Sequence, residues 1–135
     1  MFLALSVAHY NSTVSSTTCG GNCPGGCSSC PCGESKNSES ISSWCSKHDW
    51  NQKNCECIMR AESGGNAHAA NENRDGSFDV GLWQINDFNW GSCSGGRAPC
   101  DGNSNLQCAI KVYDWGGKTW KNWSTCGKCG ACSSA

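Results

Sequence analysis

The chain has 135 residues, 14 of them cysteine and 7 tryptophan, with a formal net charge of −1 at pH 7. Cysteine at more than one residue in ten marks a disulfide scaffold made in an oxidising compartment, and the length suits one domain with a modest core. The near-neutral charge gives no support to nucleic-acid binding, and no apolar run reaches the ~20 residues that span a bilayer, so neither nucleic acid nor membrane is an expected partner.

Met1 to Ala8 is apolar and ends in a small-x-small pattern that suits the tail of a signal peptide, although a basic leader is missing, so a signal remnant over 1–10 and an ordinary N-terminus both stay open. Residues 11–37 are rich in Ser, Thr, Gly and Cys, with Cys19, Cys23, Cys27, Cys30 and Cys32 inside fourteen positions. That stretch has too little apolar material for a core. It reads as a loop-rich segment stapled by disulfides, with a glycan-binding knot or a zinc site at Cys27, Cys30 and Cys32 as alternatives. Asn11 and Asn122 each head an N-glycosylation sequon, which agrees with secretion.

From about Ser38 the spacing of Ile41, Trp44, Cys45 and His48 predicts a short amphipathic helix. Asn51 can cap a second helix, on which Cys55, Ile58, Met59 and Glu62 share one face before Gly64-Gly65 ends it. The runs Asn71 to Arg74 and Ser77 to Val80 flank Asp75-Gly76, a dipeptide suited to a tight hairpin turn, and Ser77 and Asp79 fall on the same strand face. A third helix is predicted from Ser104 or Asn105, with Leu106, Ala109, Ile110 and Tyr113 at helical spacing up to Gly116-Gly117.

Two carboxylates stand out, Glu62 and Asp79, seventeen residues apart. A carboxyl on an apolar helix face loses solvation, which penalises its charged form and raises its pKa. Asp79, among Ser77, Asn73 and Asn86, is expected in a polar setting that favours the ionised form. Such a pair can divide into an acid and a nucleophile.

The run Arg60-Ala61-Glu62-Ser63-Gly64-Gly65-Asn66, the hairpin from Asn71 to Asp79 and Gly81-Leu82-Trp83-Gln84-Ile85-Asn86 together resemble the core of c-type (animal-type) lysozymes, without a gap from Glu62 to Asn86. The resemblance spans about residues 41–126. It implies a disulfide-rich α+β lysozyme-like fold, with short helices and a small antiparallel hairpin sheet flanking a cleft, over a catalytic domain of 38–135. It implies a peptidoglycan-cleaving glycoside hydrolase acting on the β-1,4 bond between N-acetylmuramic acid and N-acetylglucosamine, with chitooligosaccharide as a second substrate. Glu62 would be the acid and Asp79 the nucleophile or stabiliser, roughly 5 to 5.5 Å apart in a retaining mechanism, which is the division of roles that defines lysozymes.

The same resemblance makes Asn73, Asp75 and Ser77 supports of Asp79, places Asn86 on Asp79 or the sugar, and sets Gln84 near the scissile bond. Trp90 would line the cleft, and Trp120 would lean on the acid, with core packing open for Trp120, Trp115 and Trp123. Aromatic faces and indole N–H groups suit sugar recognition. Cys57 and Cys126 match a disulfide tying the acid-bearing helix to the C-terminal segment. Cys93, Cys100 and Cys108 lie in a region of family disulfides with partners unassigned, and Cys129 and Cys132 are candidates to bond to the N-terminal cluster.

Departures from the family are the Cys-rich segment in place of its N-terminal helix, Asn89 where a second cleft aromatic often stands, and the absence of strong positive charge. The last fits a digestive, lysosomal or other lumenal setting at least as well as an antimicrobial, bacteriolytic one. No cofactor or metal is expected, and a secreted or lysosomal monomer is. Part of the motif is shared with lytic transglycosylases, which typically lack the second carboxylate. A non-catalytic glycan-binding or structural protein on the same frame is the rival from outside the enzymes.

Overall fold

A computed structural model describes residues 29–135. The candidate signal remnant, most of the Cys-rich segment, the Asn11 sequon and Cys19, Cys23 and Cys27 lie outside the described residues. Helix α1 (Ile41–Cys45) is capped by Ser40, whose hydroxyl accepts from the Ser43 amide. It is shorter than its apolar spacing suggests, ending before His48. A disulfide from Cys45 to Cys55 carries the chain into α2 (Gln52–Glu62). Asn51 caps α2 as its sequence position predicts, accepting from the Asn54 amide at 2.9 Å. Cys55, Ile58, Met59 and Glu62 form its buried stripe, so the carboxyl at the end of the helix is carried inward with the apolar side chains.

A three-stranded antiparallel sheet follows, β1 (Ala70–Glu72), β2 (Phe78–Val80) and β3 (Ile85–Asn86), in the order β1-β2-β3. The first two strands form the hairpin predicted around Asp75-Gly76, and the third follows the turn over 81–84. Its pairing depends on Gly81 at φ +84° and Gln84 at φ +53°. A non-glycine residue at positive φ is uncommon, and Gln84 supports its own with a buried side chain that donates to Gly81 O and Ala69 O. The register sets Asn71 opposite Asp79 and Asp79 opposite Asn86, so all three share one row across the sheet.

Asn86 also caps a 3-10 turn over Asp87–Asn89, which leads into the short helix α3 (Trp90–Cys93). Helix α4 (Gly102–Trp115) begins two to three residues earlier than predicted, because Asp101 caps it by accepting from the Ser104 amide. Its buried Asn105 joins three elements. The carboxamide donates to Val80 O and Pro99 O and accepts from the Trp83 amide at 2.8 Å. Leu106, Ala109, Val112 and Tyr113 of α4 pack with the buried stripe of α2 around Trp50, Trp83, Trp120 and Trp123. A fully buried aromatic group at this size contributes several kcal/mol of apolar burial, so these rings dominate a modest core.

Five disulfides join described cysteines, and they correct the expected pairing. Cys57 bonds to Cys129, not Cys126, and Cys126 bonds to Cys132. The reason is a chain of tight turns after the 3-10 segment Ser124–Cys126. Amide 129 donates to carbonyl 126, and amide 131 returns to the same carbonyl, which folds Cys132 back onto Cys126 and leaves Cys129 for α2. Neither Cys129 nor Cys132 is therefore available to the N-terminal cluster. Cys93 pairs with Cys108, and Cys100 with Cys32. That last bond removes Cys32 from the zinc set considered above. It anchors the segment from 29 to 37, which also docks through Asn37, bonded to Asn66 and Ala67, and through an isolated bridge from Ser38 to Asn66.

Candidate active site

Glu62 ends α2 and is only 8 % exposed. Ser63, immediately after it, donates its hydroxyl hydrogen to Leu82 O at 2.8 Å and so ties the helix end to the strand connection. Gly65 at φ +88° then turns the chain away, a conformation that favours glycine, and a Cβ there would crowd the backbone of Glu39 and the side chain of Ile41. Burial pushes the Glu62 carboxyl up to about 8. A hydrogen bond from Thr125 opposes that rise, the nearby Asp79 carboxyl adds to it, and Lys128 draws it down. Thr125 Oγ1 lies 2.6 Å from Glu62 Oε2. The expected disulfide from α2 to Cys126 brings this segment toward the helix in sequence terms, but nothing there singles out Thr125 as the partner of a carboxyl 63 positions away.

Asp79 is fully buried at the centre of the row Asn71, Asp79, Asn86. Asn86 donates to Asp79 Oδ1 at 2.8 Å and Asn73 to Asp79 Oδ2 at 3.1 Å. Ser77 Oγ accepts from both amides, at 3.1 and 3.0 Å, and passes its own hydrogen to Asp75 Oδ1 at 2.6 Å. Asp75 accepts the Ser77 amide as well, and these bonds hold its carboxyl below the ordinary range. Asn73, Asp75, Ser77 and Asn86 thus converge on Asp79.

The expectation that this polar setting keeps Asp79 readily ionised is corrected, because burial outweighs it. Desolvation lifts Asp79 to about 7, against the two amide donors and with help from Asp87 and Asp75. Asp79 still sits below Glu62, mainly because an aspartate starts from 3.8 and a glutamate from 4.5, with burial lifting both by similar amounts.

Of the two readings open for Trp120 and Trp123, the fold gives both the core position. Trp120 is fully buried, with its ring centroid 4.8 Å from that of Trp50, 5.1 Å from Tyr113 and 5.0 Å from Trp123, and its indole N–H donates to Ala135 O. It is a core residue and does not present a face to a cleft. Trp123, also buried in the core, borders a small pocket with Gln84, Ile85, Asn86, Asn89 and Asn122, beside the Asp79 row. Trp90 is half-buried, and its indole N–H is already given to Ile85 O at 3.1 Å, which leaves its ring and not its N–H for a ligand. Gln84 lies in the same pocket wall, but both amide hydrogens are used on backbone carbonyls and its oxygen accepts from Asn71 at 2.7 Å. It braces the strand return. The Asn122 carboxamide of the second sequon donates to Val112 O at 3.1 Å, so its nitrogen is engaged within the fold.

This arrangement offers a buried carboxyl that keeps its proton to about 8, a second carboxyl held by amides, and a small amide- and indole-lined pocket bordered by Asn86 of the Asp79 row. Residues 53–125 match the model of a family described as lysozyme like domain. The chain is similar to a lysozyme C of Scophthalmus maximus, 36 % identical over 58 residues, which are 43 % of this chain and 39 % of that protein. It is also similar to a lysozyme of Bombyx mori, 39 % identical over 62 residues, 46 % of this chain and 43 % of the relative. A lysozyme C of Takifugu rubripes is 40 % identical over 58 residues, 43 % of this chain and 39 % of its own. The aligned stretch spans about two-fifths of the length of these curated relatives. More than half of the chain matches the family model, and the chain belongs to the lysozyme-like domain family.

Proposed function

We propose that this protein is a muramidase that hydrolyses the β-1,4 bond between N-acetylmuramic acid and N-acetylglucosamine in bacterial peptidoglycan, with chitooligosaccharide as a second substrate. The observation that carries the reading is a pair of buried carboxyls close enough to interact, Glu62 at the end of α2 raised to about 8 and Asp79 on the sheet raised to about 7. In the intervening range Glu62 donates its proton to the glycosidic oxygen as the bond from the anomeric carbon breaks. Asp79, ionised, attacks or stabilises that carbon, and Glu62 then takes a proton from the water that completes hydrolysis. The five disulfides fit an extracellular or lumenal site of action.

One observation favours a second reading, lytic transglycosylation. Asp79 has no solvent exposure, and a reaction in which the sugar's own hydroxyl attacks the anomeric carbon needs only Glu62. The test is digestion of purified peptidoglycan by the intact protein, Glu62→Gln and Asp79→Asn, with products resolved by mass. Reducing muropeptides lost in both variants support hydrolysis by the pair. Anhydro-muramyl products that survive Asp79→Asn support transglycosylation, and absence of turnover across pH leaves a glycan-binding protein.

A further inference from the structure

Thr125 is no site residue by sequence, yet its hydroxyl makes the 2.6 Å contact to the Glu62 carboxyl. We propose that Thr125 is a positioning residue for the acid, fixing Glu62 Oε2 so that Oε1 is the oxygen that delivers the proton to the glycosidic bond. The inference rests on the reading of Glu62 as that acid.

The geometry is built for such a role. Thr125 sits in the middle of the 3-10 turn Ser124–Cys126, and its position is set from both sides. On the C-terminal side, Cys126 is bonded to Cys132, and Cys129 is bonded to Cys57, one and a half turns before Glu62 on α2. On the N-terminal side, Trp123 is locked in the core with its indole N–H on Trp83 O at 2.8 Å. The turn and the helix that carries the acid are therefore covalently clamped to each other. A hydroxyl held this way costs little further entropy when it engages the carboxyl, which is the condition under which one hydrogen bond fixes an orientation.

The donor also matters for the proton. Thr125 can give its hydrogen to an ionised Glu62, so it favours the charged form that burial disfavours. The other charged groups acting on Glu62 among the described residues are Asp79 on β2, which raises it, and Lys128 beyond the 3-10 turn, which lowers it. Removing the hydroxyl leaves burial and Asp79 less opposed, and Glu62 then holds its proton to a higher pH.

The experiment compares the intact protein with Thr125→Val, close in shape but unable to donate, and Thr125→Ser, which restores the hydroxyl. The titration of Glu62 is followed by carbon NMR of the labelled carboxyl, alongside kcat and KM on a chitooligosaccharide. Expected for Thr125→Val are a Glu62 midpoint moved to higher pH, kcat lowered by about tenfold and KM within about twofold, as loss of one charge-assisted hydrogen bond predicts. Thr125→Ser should return both readouts to those of the intact protein. An unmoved midpoint in Thr125→Val, or a Ser variant that behaves like Val, overturns the proposal. The midpoint is readable whether or not the protein turns over, and loss of turnover in Glu62→Gln tests the acid assignment separately.

Discussion

Replacing Glu62 by Gln should change stability in a way that depends on pH, and the direction follows from burial. The carboxyl rises from its ordinary 4.5 to about 8 in the fold. That gap, at about 1.4 kcal/mol per pH unit, is about 5 kcal/mol of difference between its protonation states. Because the folded value lies above the unfolded one, the fold has its full stability from this group below about pH 4.5. It loses that stability as pH rises toward 8, where the unfolded chain ionises freely and the buried site resists. Gln is neutral at every pH and still offers an oxygen to Thr125. The variant and the intact protein should therefore unfold at similar temperatures near pH 4. By pH 9 the variant should be ahead by on the order of 10 °C, at ~3 °C per kcal/mol for a chain of this length. Scanning calorimetry from pH 4 to 9 reads this directly. Asp79 interacts with the Glu62 charge, so the difference between the two proteins also contains the part of the Asp79 titration that this coupling sets. Parallel melting curves across the whole range would refute the claim that Glu62 is a desolvated carboxyl.

Three further outcomes follow from the same geometry. The profile of kcat/KM against pH should be bell-shaped, rising as Asp79 ionises near 7 and falling as Glu62 ionises near 8, and a flat acid side would remove Asp79 from the chemistry. Replacing Cys57 and Cys129 by Ala opens a link 72 residues apart and should cost about 4 kcal/mol in a denaturant titration. Removing the link of 6 residues between Cys126 and Cys132 should cost about 2 kcal/mol. Disulfide peptide mapping that joins Cys57 to Cys126 would contradict both figures. Gly81→Ala places a Cβ 2.0 Å from Asn105 Nδ2 at φ +84°, and should lower stability by about 3 kcal/mol or more, read by thermal melting.

The elements that formed as predicted are those whose signal is local. Asn51 caps α2 because a side-chain oxygen three residues before an amide can satisfy it without help from elsewhere, and the spacing of Cys55, Ile58, Met59 and Glu62 alone puts the carboxyl on the buried face. Asp75-Gly76 made the hairpin for the same reason, and strand alternation brought Ser77 and Asp79 to one side. The α+β class, the disulfide scaffold and the resemblance from Glu62 to Asn86 were likewise legible from residue types and intervals.

What only the tertiary structure decided is set by distance through space. Two amide donors beside Asp79 are visible in the sequence, but the burial that outweighs them is not, because desolvation sums over every element packed around the group. Trp120 and Trp123 are three residues apart and indistinguishable by composition. Both are buried in the core: Trp120 packs against Trp50 and Tyr113, while Trp123 gives its indole N–H to Trp83 O and also borders the small pocket. Cys126 and Cys129 are as alike in sequence, and a tight turn chooses between them for Cys57. That same turn sets Thr125 on Glu62, a contact 63 residues apart that local propensity cannot encode, because the chain reaches it only after the helix, sheet and core have fixed the path between.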